Sequence, residues 1–377
     1  MPDILTPETP EDLAAALAQA AASNQTITLG GRFTKNRMGG PIAPADVTLS
    51  SAALTRVLAY EPRDLTISVQ AGMPWCEFAR LVAQNRQMVP LDPPFSDTAT
   101  LGGTLAANLS GPRRRLYGTA RDFVIGMTFA TLEGKLVQSG GMVVKNVAGL
   151  DMAKLMIGSF GTLAAIAVVN FKLVPVPVEE RHSLLGFDSL DEAATATRRI
   201  RESVLQPASL DLLNPAAARR LGLDGFVVSI QAGGNAAVIH RYERDLKDYG
   251  RLSVATPGLT RRLQEFTAEF LAAHDAGAVV RFSTTIAQAA DVVRSLDVPA
   301  ISRAGSGVTY GHFADSDAAQ QAARGPWKAV IEFAPEADKS RLELWPSPGQ
   351  DFQLIQRVKQ MFDPRQLLNR GRLYRRI

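Results

Sequence analysis

The sequence contains a single cysteine, Cys76, among its 377 residues. One thiol cannot form an intramolecular disulfide, and a cysteine-ligated iron–sulfur cluster needs several thiolates. The composition therefore excludes both features within this chain. It is typical of a protein in the reducing cytosol, and we expect a cytoplasmic location.

Signals for export and for membrane insertion are also lacking. The N-terminus, MPDILTPETPEDL, has neither the basic segment nor the apolar core of a signal peptide. No apolar run in the sequence approaches the roughly 20 residues that cross a bilayer. We expect any contact with the inner membrane to be peripheral and to pass through partner proteins. The length favours two domains over one.

Neither sign of charge is in large excess, because 41 basic residues oppose 37 acidic ones. Basic residues nevertheless cluster at 113–115 and at Arg370, Arg372, Arg375 and Arg376. Such clusters are typical of a solvated surface, of a docking face for an acidic partner, or of a site for cofactor phosphates. Nucleic acid is not an expected partner, since aromatic residues do not interleave with the arginines and no binding motif accompanies them.

Glycine, in contrast, is concentrated in four clusters within the first 165 residues. Glycine lets the backbone approach a ligand closely and adopts positive φ. Several such loops, with Ser, Thr, Asn or Lys nearby, predict a long anionic ligand held mainly by backbone N–H groups. A dinucleotide cofactor has that length and charge. The clusters lie in LGGRFTKNRMGG from Leu29, TLGGTLAANLSG from Thr100, SGGMVVKNVAG from Ser139 and IGSFGTLAAI from Ile157.

The first cluster follows a predicted strand. Its loop offers successive backbone N–H groups, the Thr34 hydroxyl and the Asn36 amide to phosphate oxygens. It is neither a Walker A loop, which requires Gly-Lys-Ser/Thr, nor a GxGxxG fingerprint. An ordinary turn is therefore an alternative interpretation.

The second cluster follows the stiff pair Pro93-Pro94, and it is small and hydroxyl-bearing from Thr100 to Asn108. Small side chains would let a helix N-terminus present its unpaired amides to a pyrophosphate. The alternative is that these residues only permit tight packing. The third cluster continues through Lys145–Asp151 into a short predicted helix that ends at Gly158.

A domain boundary is expected near residues 175–182, where Pro175, Pro177 and an acidic pair interrupt the pattern. From there to about residue 350, strands alternate with helices, which predicts an α+β domain with helices on one face of its sheet. Apolar periodicity and turn signals predict the elements. Helices are expected in 13–24, 73–87, 190–204, 235–250, 286–296 and from 352, and strands in 26–31, 47–51, 65–72, 88–94, 123–138 (a hairpin), 163–177, 226–233 and 278–285.

Four strings resemble the flavin-domain motifs of the vanillyl-alcohol-oxidase/PCMH-type FAD-binding family. They are LGGRFTKNRMGG, TLGGTLAANLSG, VVKNVAGLDMAKLMIGSFGTLAAI and FDPRQLLNRGRLY. Within the family they are most similar to the E-type subunits of bacterial glycolate oxidases (glycolate dehydrogenases). The resemblance implies an α+β fold: a PCMH-type FAD-binding domain of two subdomains (1–178), an α+β cap, or substrate-like, domain (179–350), and a C-terminal segment that returns to the FAD domain (351–377).

The resemblance also implies which residues bind FAD. The pyrophosphate would be bound by Gly30, Gly31, Arg32, Phe33, Thr34, Lys35 and Asn36. Along the diphosphate and the isoalloxazine edge would lie Thr100, Gly102, Gly103, Ala107 and Asn108, with Pro93 and Thr104 in the same group. The ribityl and adenine side would be lined by Gly161, Thr162 and Ile166, and the ring would be approached by Asn369 and Gly371.

Covalent members of this family attach the flavin through His or Cys. No histidine of this sequence lies in the flavin motifs, and Cys76 lies in a predicted helix, so we expect noncovalent FAD. The histidine-rich metal and substrate motif of the related catalytic D subunits is not recognisable, and we expect no metal site. His312 stands alone in TYGHF, and no catalytic residue is assigned.

The function implied by the resemblance is that of an FAD-binding subunit in a complex that oxidises glycolate, a 2-hydroxy acid, to glyoxylate. Its partners would be a homologous D-type FAD subunit and an iron–sulfur F-type subunit, to which electrons pass. Two alternatives are a self-sufficient FAD-dependent oxidoreductase for another hydroxy acid or an alcohol, and a structural subunit with a vestigial flavin pocket.

Overall fold

The computed structural model describes residues 4–143 and 150–377. Strands and helices occur in both halves of the chain, and the predicted α+β class is confirmed. The strands before residue 178 are β1 (Ile4–Leu5), β2 (Ile27–Gly30), β3 (Val47–Ser50), β4 (Val57–Glu61), β5 (Thr66–Gln70), β6 (Gln87–Met88), β7 (Val124–Ala130), β8 (Leu136–Gly140), β9 (Ala165–Lys172) and β10 (Val174–Pro175). The helices there are α1 (Pro10–Ala22), α2 (Trp75–Ala83), α3 (Leu101–Ala106), α4 (Arg114–Tyr117), α5 (Ala120–Phe123) and α6 (Ala153–Met156).

A three-stranded parallel sheet in the order β1-β3-β2 packs against α1. The helix begins where its capping residues predict, because the Thr9 hydroxyl accepts a hydrogen bond from the Asp12 amide at 3.0 Å. Leu13 and Leu17 on its inner face are fully buried against Leu49 of β3. This packing fixes β2, and with it the glycine loop that follows.

A second sheet has five antiparallel strands in the order β4-β5-β9-β7-β8. The predicted hairpin is confirmed as the pair β7–β8. In the predicted strand 88–94, only Met88 is extended within a ladder, pairing with Val174 of β10. The three prolines that follow cannot donate ladder hydrogen bonds, so the strand ends there.

The third sheet has eight antiparallel strands in the order β14-β11-β13-β12-β16-β17-β15-β18. Its strands are β11 (Glu179–Phe187), β12 (Ser209–Leu213), β13 (Phe226–Gly234), β14 (Arg251–Val254), β15 (Ala278–Ser283), β16 (Ala300–Arg303), β17 (Val308–Phe313) and β18 (Lys328–Phe333). The accompanying helices are α7 (Leu190–Glu202), α8 (Pro215–Arg220), α9 (Ala236–Asp245), α10 (Leu259–Ala273), α11 (Ala289–Arg294) and α12 (Ser316–Ala323).

Helices cover both faces of this sheet, so the prediction of a single covered face is wrong. Leu185 of β11 packs in one cluster with α7 and α9, whereas its neighbour Leu184 packs in another with α8 and α10. Successive side chains of a strand point to opposite faces. Two adjacent buried leucines therefore require an apolar layer on each side.

The last helix, α13 (Phe352–Phe362), carries Lys359, which forms a buried ion pair within the C-terminal segment and also donates a hydrogen bond to the first half of the chain. The Lys359 ammonium donates to the Asp363 carboxylate at 2.6 Å, to the Thr162 carbonyl at 2.8 Å and to the Leu368 carbonyl at 3.0 Å. Both carboxylate oxygens of Asp363 are used, because Oδ1 accepts the Leu367 amide and Oδ2 accepts the Leu368 amide as well as the Lys359 ammonium. We propose on this basis that the domains are 1–178 and 179–350, with 351–377 returning to the first.

Candidate cofactor pocket

Segments far apart in the sequence converge on one cleft of about 850 Å³. They are the first glycine loop, the start of α3, the turn that precedes β9 and the C-terminal segment. The predicted site residues that line it are Gly30, Gly31, Arg32, Phe33, Thr34, Lys35, Asn36, Thr100, Gly102, Gly103, Ala107, Gly161, Ile166 and Asn369. Of the third cluster, Gly140 and Gly141 do not line the cleft, and residues 144–149, which include Lys145, lie outside the described part of the chain.

The first glycine loop is closely packed against α3. A Cβ at Gly31 would lie only 2.3 Å from the Thr100 hydroxyl oxygen, so no other residue fits between the loop and the helix. Phe33 has a φ of +54°, a left-handed conformation that costs a non-glycine residue free energy. The amides of Arg32, Phe33, Thr34 and Lys35 have no acceptor among the described residues. Successive unpaired amides of this kind form an anion-binding concavity.

The amides at the start of α3 are already paired, which corrects the prediction that they stay open for a pyrophosphate. The Leu101 and Gly102 amides donate to the carbonyls of Met73 and Ala71, at 3.0 and 2.7 Å. The Gly103 amide donates to the Thr100 hydroxyl at 3.1 Å. The small residues of this turn therefore serve close packing against the segment after β5. These small residues form a wall of the cleft but provide no free backbone hydrogen-bond donors to it.

Lys35 contributes positive charge to the cleft, which Arg32 and Arg372 also line. Burial lowers the pKa of Lys35 to about 8, and the charge of Glu265 opposes that shift. Within the described residues its ammonium forms no salt bridge, and its only side-chain contact is the Thr34 hydroxyl at 3.5 Å. A half-buried ammonium without a carboxylate partner is costly unless an anion approaches it. The site is therefore matched to a phosphate group.

Two buried cations hold the other side of the same loop. The Arg372 guanidinium donates to the carbonyls of Met38 and Gly40, each at 2.7 Å, and more weakly to those of Lys35 and Asn36. The fully buried Lys339 ammonium donates to the Asn36, Met38 and Gly40 carbonyls. Burial lowers the pKa of Arg372 to about 10 and that of Lys339 to about 8. The carbonyls on this side of the loop are therefore paired with cations, whereas the amides of 32–35 stay unpaired within the described residues.

Asn369 joins the C-terminal segment to two of the glycine loops. Its side-chain carbonyl accepts the Leu29 amide at 2.7 Å, and its amide donates to the carbonyls of Leu29 at 3.0 Å and Phe160 at 2.8 Å. A Cβ at Gly161 would lie 2.8 Å from this amide nitrogen. Through these hydrogen bonds the Asn369 side chain bridges β2 and the turn before β9.

Five predicted residues lie outside the lining of the cleft. Pro93 accepts a hydrogen bond from Gln264 of α10, and Asn108 is exposed at the end of α3. Thr104 and Thr162 are fully buried, and the Thr162 hydroxyl donates to Ser159. The Gly371 carbonyl packs directly against Gly40. Their positions give them supporting contacts, not contact with the cleft.

Sequence reasoning missed other lining residues. Most are apolar or small and sit beside a predicted glycine, so they carry no chemical signal of their own. Arg372 is the exception, because it belongs to the basic cluster near the C-terminus, for which cofactor phosphates were one interpretation. The missed residues are Thr28, Leu29, Ile42, Ser51, Ala106, Phe160, Ala164, Ala165 and Arg372.

The remaining arginine cluster is not a solvated surface throughout. Arg113 forms a bidentate pair with the largely buried Asp92, at 2.5 Å for the closest atoms, and Arg115 donates to the Pro207 carbonyl at 2.6 Å. Arg114 alone of the three is exposed. Two of these arginines therefore have structural contacts, and Arg115 links the two large regions.

Two family models match the chain: an FAD binding domain over residues 3–140, and the C-terminal domain of FAD linked oxidases over residues 176–332. The chain belongs to the FAD-linked oxidase family with a PCMH-type FAD-binding domain. FAD is the cofactor of this family, and the cleft fits it: it combines a run of unpaired amides, an ammonium without a carboxylate partner and an elongated lining drawn from four segments. The recognition made from the sequence motifs is confirmed.

Among curated relatives, the chain is 35% identical over 190 residues to glycolate oxidase subunit GlcE of Escherichia coli (strain K12), covering 50% of this chain and 53% of that protein. It is 29% identical over 217 residues to glycolate oxidase subunit GlcD of Bacillus subtilis (strain 168), covering 57% and 46%. The chain thus spans about half the length of these relatives. They support membership in a family of hydroxy-acid oxidoreductases.

Solved structures confirm the predicted fold over almost the whole chain. Alkyldihydroxyacetonephosphate synthase aligns with a TM-score of 0.72 at 18% identity, covering 98% of this chain and 77% of that one. The 4-ethylphenol oxidase from Gulosibacter chungangensis aligns with a TM-score of 0.75 at 13% identity, covering 98% and 88%. In the residues that the structure describes, no helix is long and apolar enough to cross a membrane.

Proposed function

We propose that this chain is the FAD-binding subunit of a glycolate, or 2-hydroxy-acid, dehydrogenase complex that oxidises glycolate to glyoxylate and passes electrons to partner subunits. The observation that carries the proposal is the convergence of the first, second and fourth glycine clusters on one cleft beside the ammonium of Lys35. The match to subunits named for glycolate oxidase supports the substrate class.

When bound, FAD supplies the hydride-accepting chemistry that oxidation of a hydroxyl-bearing carbon needs. The residues of this chain bind and orient it. In our proposal the free amides of 32–35, the Thr34 hydroxyl and the Lys35 ammonium hold the pyrophosphate. Gly103, Gly161 and Ile166 give the cofactor a close-fitting wall.

The proton of the substrate hydroxyl needs an acceptor, and His312 does not serve as one. Its ring nitrogens contact the Thr267 hydroxyl at 3.0 Å and the Pro299 carbonyl at 3.1 Å, and it packs edge-on against Phe266 and Phe270. Burial lowers its pKa to about 3. This packing supports a chain that binds FAD and relays electrons. It does not support one that deprotonates the substrate through His312.

We propose that FAD is bound noncovalently. Cys76 lies in α2, where its thiol contacts the Asp97 carbonyl and Arg80, and neither it nor any histidine lines the cleft in the described residues. Purified protein should be yellow, and acid precipitation should release FAD into the supernatant. Flavin that stays with the precipitated chain would contradict this assignment.

The proposed partners are a homologous D-type FAD subunit and an iron–sulfur F-type subunit. The proposed location is cytoplasmic, with contact to the inner membrane only peripherally through the complex. The relatives named GlcE and GlcD are each called subunits, which supports an assembly of several chains.

The test is anaerobic titration of the purified, FAD-loaded chain with glycolate and with lactate, first alone and then with the partner subunits. We expect the flavin absorbance to bleach with glycolate only when the partners are present. Bleaching of the isolated chain would instead support a self-sufficient oxidoreductase. Failure to retain FAD at all would support the structural subunit with a vestigial pocket.

A further inference from the structure

A second cleft, of about 1110 Å³, lies where α12, β18 and the C-terminal segment meet. Its walls carry Trp327, Trp345 and Tyr374, and the rings of Trp345 and Tyr374 pack with centroids 5.3 Å apart. None of the residues that line it also lines the cofactor pocket. The cleft is therefore a separate feature, and the cofactor-binding residues do not account for it.

Basic side chains surround these aromatic rings. Arg324, Lys328, Arg375 and Arg376 all line the cleft and are exposed, whereas Glu343 is its only acidic lining residue. Glu343 is already engaged by Arg324 at 2.8 Å. Lys328 and Arg376 form no salt bridge within the described residues, so the cleft carries positive charge that the chain itself leaves uncompensated.

Contacts with neighbouring segments fix the positions of Arg375 and Arg376 at the edge of the cleft. The Arg375 guanidinium donates to the carbonyls of Lys339 and Leu342, and the Arg376 guanidinium lies 5.6 Å from the centre of the Phe352 ring. Tyr374 and Arg375 both have positive φ, at +51° and +55°. Two successive left-handed non-glycine residues are unfavourable unless the surrounding contacts impose them. The strained turn fixes the direction in which the aromatic ring and the two arginines leave the backbone.

Trp, Tyr and Arg are the residue types enriched in protein–protein interfaces and in their energetic centres, and here the three aromatic side chains are half-buried in the cleft while the arginines are exposed. The excess positive charge selects a complementary surface. We propose that this second cleft docks an acidic, aromatic-containing segment of a partner protein. That this partner is another subunit of the assembly rests on the proposed function. The preference for an acidic, aromatic-containing segment rests only on the residues of the cleft.

The test uses the full FAD-loaded chain and a capped synthetic peptide that alternates glutamate with phenylalanine. Two of the three tryptophans, Trp327 and Trp345, line the cleft, while Trp75 is buried in the N-terminal core. We expect saturable quenching or shift of tryptophan emission with this peptide, and none with a peptide in which lysine replaces glutamate.

The decisive variant is Lys328→Glu/Arg376→Glu. Its affinity for the acidic peptide should fall about tenfold or more, because two attractive charges become repulsive. The matched control is Arg63→Glu/Arg198→Glu, which reverses two exposed arginines outside the cleft and should keep affinity within about twofold.

Equal loss in both variants would show attraction to net charge alone and would overturn the proposal. So would the absence of saturable binding to the unaltered chain. Displacement of the peptide by benzoate at comparable affinity would assign the cleft to a small aromatic anion instead. FAD content, measured in every sample, separates these outcomes from a failure of the proposed flavin function.

Discussion

The cofactor pocket and the second cleft both include residues of the C-terminal segment. They differ in whether backbone groups or side chains provide most of the recognition. Asn369 and Arg372 line the pocket, and Tyr374, Arg375 and Arg376 line the cleft. In the pocket the recognition elements are backbone amides, glycine faces and half-buried or buried cations. In the cleft they are half-buried aromatic and exposed basic side chains.

This difference teaches what each site can recognise. Fixed amides at close range suit a ligand of constant shape, such as a nucleotide diphosphate. Exposed long side chains suit a partner surface, which tolerates adjustment and depends on charge. The basic cluster near the C-terminus is therefore not one feature, because its members serve the pocket, the cleft or, for Arg370, a contact with the Pro44 carbonyl.

The largest expected effect concerns Arg372, whose buried guanidinium holds the carbonyl side of the first loop. Replacement of Arg372 by Met leaves the Met38 and Gly40 carbonyls without these donors. We expect the free energy of unfolding to fall by about 3–5 kcal/mol, because each of the two short hydrogen bonds from this charged donor contributes about 1.5–3 kcal/mol. Urea unfolding measures it.

The matched variant is Arg370→Met, because Arg370 is exposed and donates to the Pro44 carbonyl only. Its unfolding free energy should change by no more than about 1 kcal/mol. Similar losses in the two variants would break the distinction between buried and exposed members of the cluster.

A smaller effect is expected at Gly103, which lines the pocket. A Cβ there would lie 3.1 Å from the Thr100 hydroxyl and 4.0 Å from the Lys35 ammonium, so the branches of Gly103→Leu must enter the cofactor space. Overpacking of about 1–3 kcal/mol corresponds to a rise in the FAD dissociation constant of roughly fivefold to 150-fold. Flavin fluorescence titration measures it.

Gly141→Leu serves as the control, since a Cβ at Gly141 meets nothing within 4 Å and the residue does not line the pocket. Full FAD occupancy in the Gly103 variant would show that the second glycine cluster does not face the cofactor.

The next effect is a pH dependence set by Lys35. Burial lowers its pKa to about 8, below the unfolded value, so its charge costs stability below pH 8 in the protein without FAD. That cost disappears as the pH rises between about 8 and 10.5. A phosphate favours the charged form, so FAD should bind best below pH 8 and up to about tenfold more weakly for each pH unit above it. The Lys35→Met variant should bind FAD more weakly, and its FAD dissociation constant should no longer change between pH 7 and 9. A pH dependence retained in this variant would contradict the role of Lys35 in binding a phosphate.

The smallest expected effect is a difference in salt sensitivity. The screening length falls from about 30 Å at 0.01 M salt to about 10 Å at 0.1 M, which weakens exposed charge pairs more than buried ones. Binding of the acidic peptide at the second cleft should weaken several-fold over this range, whereas the FAD dissociation constant should change about twofold or less. Equal sensitivity would mean that the pocket also relies on exposed charge.

Much of the fold follows from local pattern. Helix α1 begins at its Thr9 cap, the hairpin β7–β8 surrounds Glu133-Gly134, and α13 has the apolar spacing of an amphipathic helix. The middle region was less predictable. The strand β16 pairs with β17 in a local hairpin but also with β12, which lies far earlier in the chain, and adjacent leucines in the sequence of β11 do not by themselves show that both are buried.

The sequence by itself determined the family, the FAD cofactor and the glycine loops, because these depend on residues that stay close together along the chain. Only the tertiary structure decided that the amides of α3 are already paired, that Arg372 and Lys339 hold the first loop, and that the C-terminal arginines separate into two sites. The physical reason is that hydrogen-bond partners of backbone groups and the burial of charges are set by segments some 300 residues apart, and local sequence carries no record of them.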